Sequence, residues 1–168
     1  MTGTLEERPV GEAMSADVLA VTEDESALLT WELMRQGGYH HVPVLRDDGS
    51  LVGVLDAETL AAAWDSGGPD RMRKPVGTLV GHHPPGHVRP QDSVATAARA
   101  MLAAGTDVVP VLDDDGRLSG LFTAWDLIAL AAGAHPRTRA GHVTAPPLYR
   151  IEPVVPRRHP EGSAIPPS

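Results

Sequence analysis

Apolar residues recur along this chain in a helical period, then in short continuous runs, and the same order appears again in its second half. Between Asp24 and Gln36, Ala27, Leu28, Trp31 and Met34 fall at helical spacing, and Gly37-Gly38 closes the segment. That pattern predicts a helix with one buried face, opened by an acidic or Ser cap and ended by glycine. Val94, Ala95, Ala98, Met101 and Leu102 repeat it. Each helix is followed by an apolar run, an Asp-Asp-Gly turn and a second run. These are His41 to Leu45 and Leu51 to Leu55 around Asp47-Asp48-Gly49, then Val108 to Leu112 and Leu118 to Phe122 around Asp114-Asp115-Gly116. A turn glycine free to take positive φ between two such runs predicts a hairpin. A second helix closes each unit, over Ala57 to Trp64 and Ala124 to Ala132.

Displacing the sequence by 67 positions superposes the two halves without a gap from about Val21 to Ala62. Pro43 lands on Pro110, Val21 on Val88, Ser26 on Ser93, Gly38 on Gly105, Gly53 on Gly120 and Leu60 on Leu127. Turns and core positions align together, so the chain is read as a tandem repeat. The division expected is a first repeat over 1–66, a linker over 67–75, a second repeat over 76–133 and a tail over 134–168. Within Asp65 to Lys74, the Gly67-Gly68-Pro69 run and the basic residues Arg71, Arg73 and Lys74 read as an exposed connector. The tail is rich in Pro, Arg and His without apolar periodicity, and reads as disordered or as folding only on a partner.

Composition narrows the functional classes. At 168 residues one core is expected, and with 4% aromatic residues it must be aliphatic. A formal net charge of -8 argues against binding nucleic acid or an anionic membrane by counterion release. The absence of cysteine excludes disulfides, thiolate-bound metals and a thiol nucleophile. Neither a signal peptide nor a run of ~18 apolar residues is present, so a cytoplasmic protein is expected. No nucleophile elbow, phosphate-binding glycine loop or His-Glu-x-x-His occurs, so catalysis is not expected. His82, His83 and His87 cluster without a carboxylate at ligand spacing, and no metal site is expected from them.

The ordered set Val109-Pro110-Val111-Leu112, Asp113 to Gly116 and Gly120-Leu121-Phe122-Thr123-Ala124-Trp125-Asp126 resembles the cystathionine-β-synthase (CBS) domain. Val42-Pro43-Val44-Leu45 and Gly53-Val54-Leu55 supply the same elements in the first copy. The resemblance covers about Val10 to Ala132 and implies an α/β fold: two tandem β-α-β-β-α repeats with pseudo-two-fold symmetry, as in a Bateman module. It further implies a sensor that binds AMP, ADP, ATP or S-adenosylmethionine between the copies, forms a homodimer and acts through an effector protein.

On that resemblance Thr123 and Asp126 are the ribose candidates, since a carboxylate at a helix's first turn can accept both ribose hydroxyls. The same pair fits an ordinary helix cap. Val108, Val109 and Pro110, with Pro84-Pro85, stand where an adenine wall would be, although Pro110 also suits a sheet edge. In the first copy Asp56-Ala57-Glu58-Thr59 exchanges the Thr and Asp, so one working site is expected. His40 and His41, opposite Asp107 and Val108 in the repeat, are candidates for phosphate contacts, or are exposed strand-edge residues. Two functions follow: a nucleotide-sensing regulatory module, or a ligand-free dimerisation scaffold.

Overall fold

The computed structural model describes residues 4–81 and 86–134. Its elements follow the repeat: α1 (Val10–Ala13), β1 (Val21–Thr22), α2 (Ala27–Gly37), β2 (His41–Leu45), β3 (Leu51–Asp56) and α3 (Ala57–Met72). Then come α4 (Val94–Ala104), β4 (Val108–Leu112), β5 (Leu118–Thr123) and α5 (Ala124–Ala131). The α/β architecture expected from the sequence is what forms.

Local chemistry explains the boundaries. Ser26 and Ser93 cap α2 and α4, their hydroxyls accepting from Leu29 N at 3.1 Å and Thr96 N at 3.2 Å. Helix α2 thus starts after Ser26 rather than at Asp24. Gly38 and Gly105 end the two helices in the left-handed conformation, each with φ 64°. The hairpin β2-β3 pairs Val42 with Leu55 and Val44 with Gly53, and β4-β5 pairs Val109 with Phe122 and Val111 with Gly120. Both hairpins shift register at the same place, Val44/Leu45 and Val111/Leu112.

The copies differ in their first strand. β1 joins β2 in parallel, and Glu23 N donates to Leu45 O at 2.8 Å. Among the described residues the second copy shows a single parallel bridge here, Val88 with Val111. Pro90 stands where Glu23 does, and without an N–H it cannot extend the ladder.

The segment read as an exposed connector is largely exposed, but helix α3, expected to end at Trp64, continues through it to Met72 with a break at Gly68 (φ 55°, ψ -150°). Gly68 supplies the positive φ and Pro69 restarts the helix, a first-turn position that proline tolerates. Met72 is fully buried.

Each copy completes its core with a segment that precedes the other. Val10 and Ala13 of α1 pack with Val88, Val94, Ala97, Met101, Val109, Val111 and Phe122 of the second copy. Met72, Val76 and Val80 pack with Ala27, Met34, Val42, Val44 and Leu60 of the first. The bridges Pro9 with Ser93 and Ser26 with Pro75 hold the two exchanged segments in like manner. Between the copies lies a third apolar cluster: Val18, Val108, Leu112, Leu118 and Leu121, against Leu45, Leu51 and Val54.

Candidate functional site

Thr123 ends β5 and caps α5, so its hydroxyl and the carboxylate three residues on are held by the strand-to-helix turn. Thr123 Oγ1 accepts from Asp126 N at 3.2 Å. Asp126 Oδ2 in return accepts from Thr123 N and Thr123 Oγ1, both at 2.8 Å. This is a reciprocal capping box. Asp126 is only 5% exposed. A carboxylate is tolerated there because three hydrogen-bond donors and the α5 N-terminus face it. Oδ2 is occupied by the cap, whereas Oδ1 accepts one long bond, from Ser15 Oγ at 3.3 Å. Oδ1 therefore retains acceptor capacity for a ligand hydroxyl.

Ser15 was not among the candidates read from the sequence. It arrives on the exchanged N-terminal segment, where Ser15 N donates to Leu121 O at 2.9 Å and Leu121 N donates to Ser15 O at 3.0 Å. Gly120 permits the approach: a Cβ there would lie 2.6 Å from Ser15 O and 2.9 Å from Met14 Sδ. Gly53 does the same for Val80 in the first copy. A signal for this was present, because Pro9-Val10-Gly11 recurs as Pro75-Val76-Gly77 ahead of the second repeat.

The three wall candidates separate. Val108 pairs across the strands with Thr123, next to the cap, and belongs to the apolar cluster between the copies. Pro110, two residues along, shares its face by strand alternation. Val109 points the other way, into the core with Phe122 and Val94. Val109 therefore cannot share a wall with Val108, which corrects the grouping read from the sequence. Pro110 is buried and lies between Val88 and β5, so it is not at a free sheet edge. Pro84 and Pro85 lie outside the described residues, as do His82 and His83.

The adjacent histidines also part company. His41 Nε2 lies 2.9 Å from Asp107 Oδ1, a bond between the copies, and its side chain is 12% exposed. His40 is exposed. The first-copy counterpart of the cap carries no inward carboxylate: Asp56 is exposed and Oδ1 accepts from Thr59 N. A cleft of ≈ 470 Å³ opens nearby, lined by Asp56, Glu58, Met101, Leu102, Gly105, Thr106 and Asp107. Its three carboxylates repel phosphate, and among the described residues none of the ribose or wall candidates lines it. Among the described residues no group of three His, Asp or Glu could hold a metal ion.

The order of helix, hairpin and capped helix, twice, has a counterpart among known proteins. The CBS domain model matches residues 10–65 and 73–133. The chain belongs to the CBS domain family. A CBS domain-containing protein of Dictyostelium discoideum is 28% identical over 130 residues, 72% of this chain and 89% of that protein. A further curated relative, an uncharacterised protein of Acidianus ambivalens, is 34% identical over 55 residues, 33% of this chain and 34% of that protein. The chain thus spans well under half of that second relative. Among solved structures, CBSX2 in complex with AMP superposes with a TM-score of 0.65 at 27% identity, covering 74% of this chain and 96% of that one. The CBS domain of a bacterial CNNM/CorC family Mg2+ transporter in complex with ATP gives 0.67 at 26%, covering 77% and 91%.

Proposed function

We propose that this chain is a regulatory module that binds one adenosine-type nucleotide, AMP, ADP, ATP or S-adenosylmethionine, at its second repeat. The observation that carries the reading is the buried Asp126 carboxylate with an under-used Oδ1 beside Ser15. Thr123 and Asp126 hold the ribose, Val108 and Pro110 border the base, and His40 is the exposed imidazole available to a phosphate. His41 reaches that role only by leaving Asp107, so in this reading a phosphate competes with a carboxylate for it. The AMP and ATP complexes of the CBS proteins above support the ligand class. The first repeat, with Asp56 exposed and Thr59 in the carboxylate's place, is silent.

Binding transmits a signal by biasing how the copies meet. A ligand shifts that equilibrium only by its differential affinity for the two arrangements. The apolar cluster of Val18, Val108, Leu112 and Leu121 against Leu45 and Val54 is the surface that repacks. Output passes to an effector protein, and the chain acts as a cytoplasmic homodimer without catalysis, a nucleic-acid partner or a membrane partner. Among the described residues no helix is long and apolar enough to cross a membrane.

One observation favours the second reading, a ligand-free dimerisation scaffold: Asp126 Oδ2 is already fully used by the helix cap. Calorimetric titration with the four nucleotides, on the native chain and on Asp126→Ala, separates the two. Thr123 still caps α5 in that variant, and the donors left by the buried carboxylate cost about 1–3 kcal/mol, so circular dichroism accompanies the titration to show the variant folded. Saturable 1:1 binding abolished in the variant supports the sensor, and no binding of any of the four to the native chain leaves the scaffold.

A further inference from the structure

The two repeats differ in the charge they place at one end of their hairpins. A shift of 67 positions carries His40 to Asp107, and both hold the same backbone position: His40 O accepts from Ala57 N at 3.1 Å and Asp107 O from Ala124 N at 2.8 Å. The first copy thus sets a base where the second sets an acid. That acid reaches across the junction, and its Oδ1 lies 2.9 Å from His41 Nε2. The carboxylate stays 70% exposed and the imidazole 12%, so His41 is covered and Asp107 is what solvent meets. Asp56, the cross-strand partner of His41, and Glu58 line the same cleft as Asp107, and all three are exposed. Among the described residues lining that cleft none is basic. Asp107 also stands beside the ribose candidates: Ala124, whose N–H it accepts, follows Thr123, and Val108 pairs with Thr123.

We infer that Asp107 is a specificity-determining residue of the nucleotide site that selects against phosphate, so that the ligand is an adenosine derivative whose 5′ substituent is uncharged or cationic. The inference rests on the nucleotide reading above and narrows its ligand. With the ribose at Asp126 and the base beside Val108 and Pro110, the 5′ carbon is the end left to face His40 and His41. While His41 keeps its bond, a phosphate oxygen within hydrogen-bond reach of His41 Nε2 lies no farther than about 6 Å, two hydrogen-bond lengths, from Asp107 Oδ1. Like charges at that separation repel, and Asp56 and Glu58 act in the same sense. The penalty grows with the number of phosphates, and the net charge of -8 adds to it. A sulfonium or ammonium group meets the opposite field. The exposed carboxylates attract it, and His41 keeps its bond to Asp107. S-adenosylmethionine, with its sulfonium on the 5′ carbon, has this chemistry, and ATP has the reverse.

Calorimetric titration of the full chain with S-adenosylmethionine, adenosine, AMP and ATP, free of divalent cations, on the native protein and on Asp107→Asn, tests the assignment. The native chain is expected to bind S-adenosylmethionine and adenosine at least about tenfold tighter than ATP, and Asp107→Asn to narrow the ratio of ATP to adenosine Kd by about tenfold. Asparagine keeps the size of the side chain and a carbonyl oxygen for His41, so the change reads charge. Raising the salt should narrow the native ratio in the same direction, because Asp107 is exposed to screening. ATP binding the native chain as tightly as adenosine or more so, or a ratio that Asp107→Asn leaves unmoved, overturns Asp107 as the determinant and leaves the nucleotide site standing. No binding of any of the four overturns both.

Discussion

Gly120→Ala puts the exchange of segments and the ligand site on one experiment. The added Cβ would meet Ser15 O at 2.6 Å and Met14 Sδ at 2.9 Å. The sulfur can swing aside, but the carbonyl belongs to backbone and must carry its segment with it. Gly120 has no positive φ, so backbone strain adds nothing and the cost is steric. Moving the segment breaks the two bonds between Ser15 and Leu121, at 2.9 and 3.0 Å, and withdraws Ser15 Oγ from Asp126. At about 1 kcal/mol net for each of the two backbone bonds and 1–3 kcal/mol for overpacking, the expected loss is about 3–5 kcal/mol. For a chain of this size that lowers Tm by about 6–20 °C. Urea denaturation measures the loss, and amide exchange localises it at Ser15 and Leu121. Gly81→Ala is the control, since a Cβ there meets nothing within 4 Å. A Gly120→Ala chain as stable as that control, with its Leu121 amide still protected, refutes the claimed contact and with it the placement of Ser15 beside the carboxylate.

Two further outcomes follow from the same physics. Val10 and Val76 are fully buried in opposite cores, so Val10→Ala and Val76→Ala should each cost about 2 kcal/mol. Native-state exchange should loosen the second repeat in the former and the first repeat in the latter, and the reverse result would exclude the exchange. Asp48 is fully exposed, yet its carboxyl is held below its ordinary range by the Ser50 side chain first, then by Ser50 N–H, with Arg46 and Arg117 adding attraction. A depressed carboxyl stabilises the fold above its unfolded pKa of about 3.9 and loses that contribution as pH falls through the lower folded value. Carbon-detected NMR titration should therefore show the Asp48 midpoint rising in Ser50→Ala, and an unmoved midpoint would discount the Ser50 side-chain bond.

Much of the fold was legible in the chain because its determinants are short-range. Helical spacing, Ser caps, left-handed glycines and Asp-Asp-Gly turns act within a few residues, and each recurs at the same place in both copies. The reduced strand at Val88 was in principle legible too, since Pro90 has no N–H to give. The end of α3 was misread because Gly67-Gly68-Pro69 marks a break equally well between two helical turns or at the end of a helix. Only the apolar pocket that receives Met72 distinguishes them.

The candidate site was legible in part. Thr123 and Asp126 were singled out on the resemblance to CBS domains, and their spacing by itself places a hydroxyl and a carboxylate on one helix turn, which the capping box bears out. Ser15 was missed because it lies 111 positions away from Asp126 in the chain. Val109 was misplaced beside Val108, although strand alternation already set their side chains on opposite faces.

By itself, then, the sequence determined the repeat, the type and order of its elements, the caps and turns, and the exchanged Thr and Asp that set the two copies apart. The tertiary structure alone decided which segment completes which core, that His41 is held by Asp107 and that Asp126 is buried beneath Ser15. These depend on the meeting of residues far apart along the chain. Such contacts are selected by packing and by the satisfaction of buried polar groups over the whole fold, which no local pattern encodes.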